Sequence, residues 1–418
     1  MTAPRPLGLR KSFGFGDRLG LATPGHLAAV RRHPDFAPIF AQQSIREMTR
    51  TQRTPEEVMA CAGLALDAAG YTEAWGADGD HLKTPEDVGR VARAGFCFFT
   101  IDPSAHVNNA ADGLGEAALR AEAGRLEAVG LWAGFDWRDA YLGREFEPQG
   151  STALRFDEES VLRAIVKYGR AVAHAAEMGR AIQEAAGPAG FEIEVSVDET
   201  DSPTSPLEHL FFALELRRRR VPRVVSLAPR FIGEFEKGID YRGDLGAFEA
   251  QLRQHAAIAR TWGPYKLSVH SGSDKFTAYP VVGRVCGEHL HVKTAGTSYL
   301  EALRVVARTR PALFGEIAAY CRGRFDTDRA SYHISTTGAQ VAALPAFASP
   351  DDEPTYLDAV PGRQLLHVTF GSVLTQGVDA RGRSFKDGIL ETLQQHADLH
   401  AELLGRHFER HLSLLKAG

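Results

Sequence analysis

Cysteine is scarce in this sequence. Four occur in 418 residues (Cys61, Cys97, Cys286 and Cys321), far apart and without a CxxC pair. That spacing argues against a disulfide framework or a thiolate zinc site, and it predicts reduced thiols in a cytoplasmic protein. No uncharged apolar run reaches membrane-spanning length, and residues 1–10 lack the apolar centre of a secretory signal. Positive charge is not in excess either: 48 Lys and Arg stand against 53 Asp and Glu, a net charge of −5. Neither nucleic acid nor a membrane surface is therefore an expected partner. Internal repeats and low-complexity tracts are also missing. What remains is 44% hydrophobic and 24% charged, the mix of a globular chain with a sizeable core.

Short apolar runs alternate with Ala/Leu-rich helical stretches, the pattern of a parallel α/β fold. Strands are expected near residues 12–21, 38–45, 74–77, 96–101, 191–197, 221–228, 265–270 and 289–293. Helical patterns at 55–69, 85–94 and 245–262 separate some of them. Eight such units predict a (β/α)8 TIM-type barrel, with a doubly wound sheet as the competing arrangement. Residues 103–190 are too long for a βα loop and read as a helical insertion after strand 4. The barrel domain is expected over 1–294. A mostly helical C-terminal extension, 295–418, packs on it, interrupted by one strand-like run at 365–369.

Acidic residues and histidines gather where strands end, which in barrels is where active sites are built. In the fifth strand Phe191, Ile193, Val195 and Val197 alternate with Glu192, Glu194, Ser196 and Asp198, so the polar set faces the barrel interior. Lys266, Ser268 and His270 share a face in the seventh strand, and His289, His291 and Lys293 in the eighth. A polar interior has to be hydrogen-bonded, paired or metal-bound. Imidazoles and carboxylates converging on one mouth suit a divalent metal such as Zn, Mn, Ni or Co. Each residue also has a plainer reading. His81 can pair with Asp80 in a loop, Asp102 can cap the segment after Pro103, and His291 can be a satisfied core histidine. Asp198 and Glu199 are adjacent and point apart on a strand, so one of the two is expected at the site. Lys293 inside a barrel calls for an anion.

Other patterns are decoys. Gly14-Phe15-Gly16-Asp17-Arg18-Leu19-Gly20 nearly spells a dinucleotide fingerprint, but Leu19 stands where glycine is needed. Arg217 to Arg220 end a helical run, where cations complement the helix dipole. His174 and Glu177 read as helix-surface residues, and His396 and His400, though spaced like a helical ligand pair, are discounted because they lie in a polar C-terminal helix.

The run from Lys11 to His26 resembles the opening of the tagaturonate/fructuronate epimerases of hexuronate catabolism. Further matches are Gly79-Asp80-His81-Leu82-Lys83, Phe99-Thr100-Ile101-Asp102-Pro103, Ser196-Val197-Asp198-Glu199-Thr200, Ser268 to Lys275, His291 to Thr297, and His367 to Gly371. Asp80-His81 and His270-Ser271-Gly272-Ser273 are also similar, more distantly, to motifs of metal-dependent class II aldolases, although Val224 to Ala228 supplies no third histidine.

The resemblance implies inversion of a hydroxyl-bearing carbon β to a ketone, on a sugar acid or on a neutral ketohexose. The ketone does not acidify that C–H bond. Transient oxidation or retro-aldol cleavage and re-addition are the remaining routes, and the second needs a metal with an acid/base pair. His81, His270 and His291 are then the expected metal ligands, with Glu199 or Asp198 as the alternative third. Asp80, Asp102 and Glu199 are the acid/base candidates. Asp17, Arg18, Arg230, Ser271, Lys275 and Lys293 are the substrate-binding candidates, the cations among them for the substrate carboxylate. Competing readings are a class II-type aldolase or sugar isomerase, a nicotinamide oxidoreductase, and a non-catalytic aldolase-like partner subunit. The oligomeric state stays open.

Overall fold

The computed structural model describes residues 3–294 and 296–416. Eight strands close into an all-parallel barrel: β1 (Ser12–Gly16), β2 (Ala37–Ser44), β3 (Gly76–Leu82), β4 (Phe98–Ile101), β5 (Glu192–Val197), β6 (Val224–Pro229), β7 (Lys266–Val269) and β8 (Leu290–Thr294), with β1 hydrogen-bonded to β8. The expected α/β fold is what the chain adopts. Closure removes every edge, which leaves side chains alternating between interior and helix-facing sides.

That alternation places polar chains inside. Phe13, Phe15, Ile193, Val195, Leu267, Val269, Leu290 and Val292 face outward into the main hydrophobic core. On the inside, Glu192 closes the bottom by accepting the Leu7 and Gly8 backbone N–H groups. Lys266 Nζ donates to Ser12 Oγ at 2.8 Å. The Gly14-Phe15-Gly16 stretch belongs to β1, where Gly14 lies against the Gln42 side chain. It is a barrel strand and not a nucleotide loop.

Two long stretches depart from the expected division. The helix Glu158–Ala186, which starts from a capping box between Asp157 and Ser160, packs between the helices Pro85–Arg93 and Pro206–Arg218. It is the ring helix joining β4 to β5, so only residues 103–157 stand outside the barrel plan. The C-terminal helix Ala397–Lys416 packs on both Thr23–Arg32 and Tyr279–Cys286. It fills the eighth ring position, seating Phe408 against Phe13 and Phe15. Residues 297–396 form a detour between β8 and that helix, with a core of their own around Tyr299, Phe314, Tyr356 and Phe370. The strand-like run at 365–369 falls largely in the helix Val360–Val368. Its apolar residues suit burial in either element, and helical packing in the detour decides.

Among the described residues, no helix is long and apolar enough to cross a membrane.

Candidate active site

The strand β3 runs on to Leu82, past the end expected at residue 77, so the Asp78 to His81 segment is strand rather than loop. Strict alternation would send Asp80 and His81 to opposite faces. A bulge between Gly79 and Leu82, with His81 at φ 52°, turns both into the mouth. A left-handed backbone at a histidine is unusual and is typical of sites whose surroundings over-determine the conformation.

Three layers follow up the barrel axis. In the lowest, His291 pairs through Nδ1 with Ser12 Oγ at 2.9 Å and packs against Phe98, with ring centroids 5.4 Å apart. It lies two residues before Lys293 on β8, roughly 6–7 Å lower along a strand rising about 3.3 Å per residue. His291 is thus not brought to His81 and His270; burial keeps its imidazole neutral, pushing its pKa down to about 3.

In the middle layer, Lys293 Nζ stands 2.7 Å from Asp78, 2.8 Å from Asp80 and 2.9 Å from Glu194, and it also donates to Thr100. The lysine does meet anions, as its buried position demanded, but they are the protein's own carboxylates and not an open clamp for substrate. Burial opposes its charge, yet the three carboxylates hold its pKa well above the usual range. Burial pushes Asp78 up to about 7 despite the lysine.

The top layer is the candidate centre. His81 and His270 meet edge to face with ring centroids 5.2 Å apart. His81 Nδ1 is 3.2 Å from Asp102 Oδ2; His270 has Asp198 at 3.1 Å on Nδ1 and Glu194 at 2.7 Å on Nε2. Ser196 donates to Asp198. Burial disfavours both imidazolium forms, but the carboxylates win: His81 is held up at about 9 by Asp80 and Asp102, His270 at about 10 by Asp198 and Glu194. Asp80 is pulled down to about 2, burial being outweighed by His81 and Lys293.

Carboxylates dominate this arrangement. Buried Asp78, Asp80, Asp102 and Glu194, with part-buried Asp198, surround Lys293 and two imidazoles, and Lys83 stands 3.2 Å from Asp102. One ligand atom from each of His81, Asp198 and His270 lies within 4.8 Å of the others, and the same holds for His81, Asp102 and Glu199. Nitrogen and oxygen donors converging at this spacing fit a divalent cation of the Zn, Mn, Ni or Co type. Around an ion held by His81, Asp198 and His270, Asp102 and Glu194 would be the outer partners that fix imidazole orientation. A second group, Asp274, His407 and His411, is equally close. There, however, Arg363 holds Asp274 at 2.7 Å, and His411 Nε2 already accepts the Asp274 backbone N–H.

A cleft of about 350 Å³ opens beside the centre, lined by Asp198, Glu199, His270 and Ser271 and roofed by Tyr332 and His333 of the C-terminal detour. Glu199 lines it and pairs with Arg46 at 3.3 Å. Arg230 also lines it, held by a hydrogen bond to the Thr200 carbonyl. Ser271 Oγ accepts from Lys237 Nζ at 2.6 Å. Two expected substrate contacts are structural instead. Asp17 folds its own loop, accepting the backbone N–H groups of Leu19, Gly20 and Ala22. Lys275, fully buried, donates to the carbonyls of Glu236, Ile239 and Ser273. Arg18 is buried against Glu47 beneath the detour. Sequence reasoning missed Arg46 and Lys237, which sit in segments with no motif.

The fold and the centre define a (β/α)8 barrel with a histidine–carboxylate cluster at its C-terminal strand ends, where active sites of such barrels sit. The family model for tagaturonate epimerase matches residues 1–415, and the chain belongs to that family. A tagaturonate/fructuronate epimerase of Thermotoga maritima is 44% identical over 415 residues, spanning 99% of this chain and 82% of the relative. Crystal structures of the fructuronate-tagaturonate epimerase UxaE from Cohnella laeviribosi, native and with glycerol, match at TM-score 0.91 and 40% identity, over 99% of this chain and 83% of theirs.

Proposed function

We propose that this chain is a divalent-metal-dependent epimerase interconverting D-tagaturonate and D-fructuronate by retro-aldol cleavage and re-addition at the carbon β to the ketone. Family membership supports the substrate pair. The observation that carries the chemistry is the His81–Asp198–His270 group, three donors from three strand ends converging within 4.8 Å of one another. The same reaction extends to neutral ketohexoses, because the reacting carbons do not include the carboxylate.

The β carbon's hydrogen is not acidic, so its configuration changes only when a bond to that carbon breaks. A divalent cation held by His81, Asp198 and His270 would supply Lewis acidity toward the ketone oxygen and the negative charge left by C–C cleavage. The chain supplies the rest. Asp102 and Glu194 fix the His81 and His270 rings. Glu199, at the cleft wall, takes the proton of the β hydroxyl as the C–C bond opens and returns it on re-addition to the other face of the aldehyde. Asp80, clamped by Lys293 and pulled down to about 2, is the weaker base and holds the lysine in place. Tyr332 and His333 roof the cleft and retain the aldehyde fragment while it turns.

The test is to follow D-fructuronate formation from D-tagaturonate with purified protein before and after chelation, alongside elemental analysis. Interconversion lost on chelation and restored by Zn, Mn, Co or Ni is the expected result. Full activity in dialysed protein containing no metal would sink the mechanism, and no interconversion by metal-loaded protein would sink the assignment.

A further inference from the structure

The helix Thr297–Thr309 begins directly after the end of β8, with Gly296 as its N-cap and no side-chain cap. Helix N-termini carry unpaired N–H groups and the positive end of the helix dipole, so they favour anions. Three buried side chains converge there with unmet hydrogen-bonding capacity. Thr297 Oγ1 has no partner among the described residues, nor has Arg18 Nη1, nor has either ring nitrogen of His367. Thr297, Arg18 and His367 are 0%, 3% and 1% exposed.

Their geometry is convergent. A Cβ added at Gly296 would stand 2.7 Å from His367 Nε2 and 2.8 Å from Arg18 Nη1, so both groups reach over the same bare backbone. Gly238 flanks the other side of the ring, its own Cβ position 3.2 Å from His367 Nδ1. The remaining Arg18 nitrogens are engaged by Glu47, and its plane stacks on Phe370 at 3.6 Å, so the direction of Nη1 is fixed. Burial, with the positive charges of Arg18, Lys237, Arg363 and Lys275, pushes the His367 pKa well below the usual value, and of these cations Arg18 and Arg363 are paired with Glu47 and Asp274. Idle buried donors beside a bare helix N-terminus suit an anion.

We infer that Arg18, His367, Thr297 and the first turn of the helix Thr297–Thr309 form the subsite that receives the carboxylate of the sugar acid, distinguishing it from a neutral ketose. The inference rests on the sugar-acid reading proposed above. The cradle follows the strand that carries Lys293, with Gly296 three residues beyond it, and Lys237, next to Gly238, donates to Ser271 beside His270. Arg18 Nη1, a His367 N–H and the Thr297 hydroxyl offer few donors, a number suited to the two oxygens of a carboxylate. His367 comes from the C-terminal detour, so substrate binding here ties that segment to the barrel.

The experiment measures equilibrium binding by calorimetry on the full chain, with the equilibrated tagaturonate/fructuronate mixture and with D-tagatose. Wild type is compared with Thr297→Val, which removes only the hydroxyl, and with His367→Leu, and unfolding temperatures confirm that each variant is folded. The expected result is acid binding weakened about tenfold by T297V and about a hundredfold by H367L, with D-tagatose affinity changed less than about threefold. Equal losses for acid and neutral sugar, or acid bound no more tightly than tagatose by wild type, overturns the cradle. Selective acid binding in a protein without metal or turnover leaves the cradle standing and removes the mechanism alone.

Discussion

Glu194 and His270 face each other inside the barrel, Oε1 to Nε2 at 2.7 Å, and the same carboxylate oxygen lies 2.9 Å from Lys293. One fully buried side chain therefore links the candidate centre above to the charge-saturated layer below. It comes from a strand position whose polar face the alternation of β5 already predicted.

That link sets the first expectation. Glu194→Gln keeps shape but removes the charge that orients His270. Metal affinity should fall about 10- to 100-fold, as for other outer partners of metal-binding histidines. Competition with a chromophoric chelator measures it, and an unchanged affinity would place Glu194 outside the metal's influence.

Lys293→Met is expected to be costly in a different way. It leaves Asp78, Asp80 and Glu194 together without their buried counter-charge. Removing one partner from a buried charge network costs about 3–5 kcal/mol. Urea unfolding should show that loss, and a midpoint within error of wild type would mean that the three carboxylates find protons or solvent instead.

Glu199→Gln separates chemistry from assembly. If Glu199 moves the hydroxyl proton, turnover should fall about 10²- to 10⁴-fold while bound metal is retained. Metal content and initial rates on one sample decide between that and a ligand role, in which both would drop.

Acid sensitivity follows from imidazoles buried without charge. Burial pushes His26 and His255 down to about 3 in the folded chain. The unfolded chain takes up these protons near pH 6.5, so it binds more protons than the folded one below that pH. The stabilisation is complete above about pH 6.5 and is lost as pH falls toward 3, at up to about 1.4 kcal/mol per pH unit per histidine. Thermal unfolding of metal-loaded protein between pH 7 and 4 should show a steady decline, with a shallower slope in His255→Phe. A flat profile would contradict the buried neutral rings.

Phe408→Ala tests whether the last helix truly completes the ring. Phe408 is fully buried against Phe13, Phe15 and His26. Its truncation should cost about 3–5 kcal/mol, the usual range for a buried phenylalanine. Chemical denaturation reads this directly.

Much of the barrel was legible because parallel strands are buried on both sides and read as short apolar runs with polar insiders, as β5 and β7 do. His81, His270, Asp198 and Glu199 stand out in the sequence because they follow or end such runs, and the structure brings them to one mouth. His291 was misplaced in height, since a two-residue periodicity tells which wall a side chain faces but not how far up the axis it stands. Lys275 looked like a substrate cation because sequence cannot show three backbone carbonyls closing around an ammonium group. Asp17 was similar, its carboxylate spent on its own loop. The ring roles of residues 158–186 and 397–416 depend on long-range packing that periodicity does not encode.

The detour of residues 297–396 leaves the barrel at β8 and returns to it through the ring helix Ala397–Lys416. A cap moored at both ends can tilt but cannot drift off, so most of the freedom it would surrender on closing over a sugar is already gone. The same double mooring makes the two junctions natural graft points, where a cap of different shape could be exchanged while the barrel beneath keeps its strands and its ring.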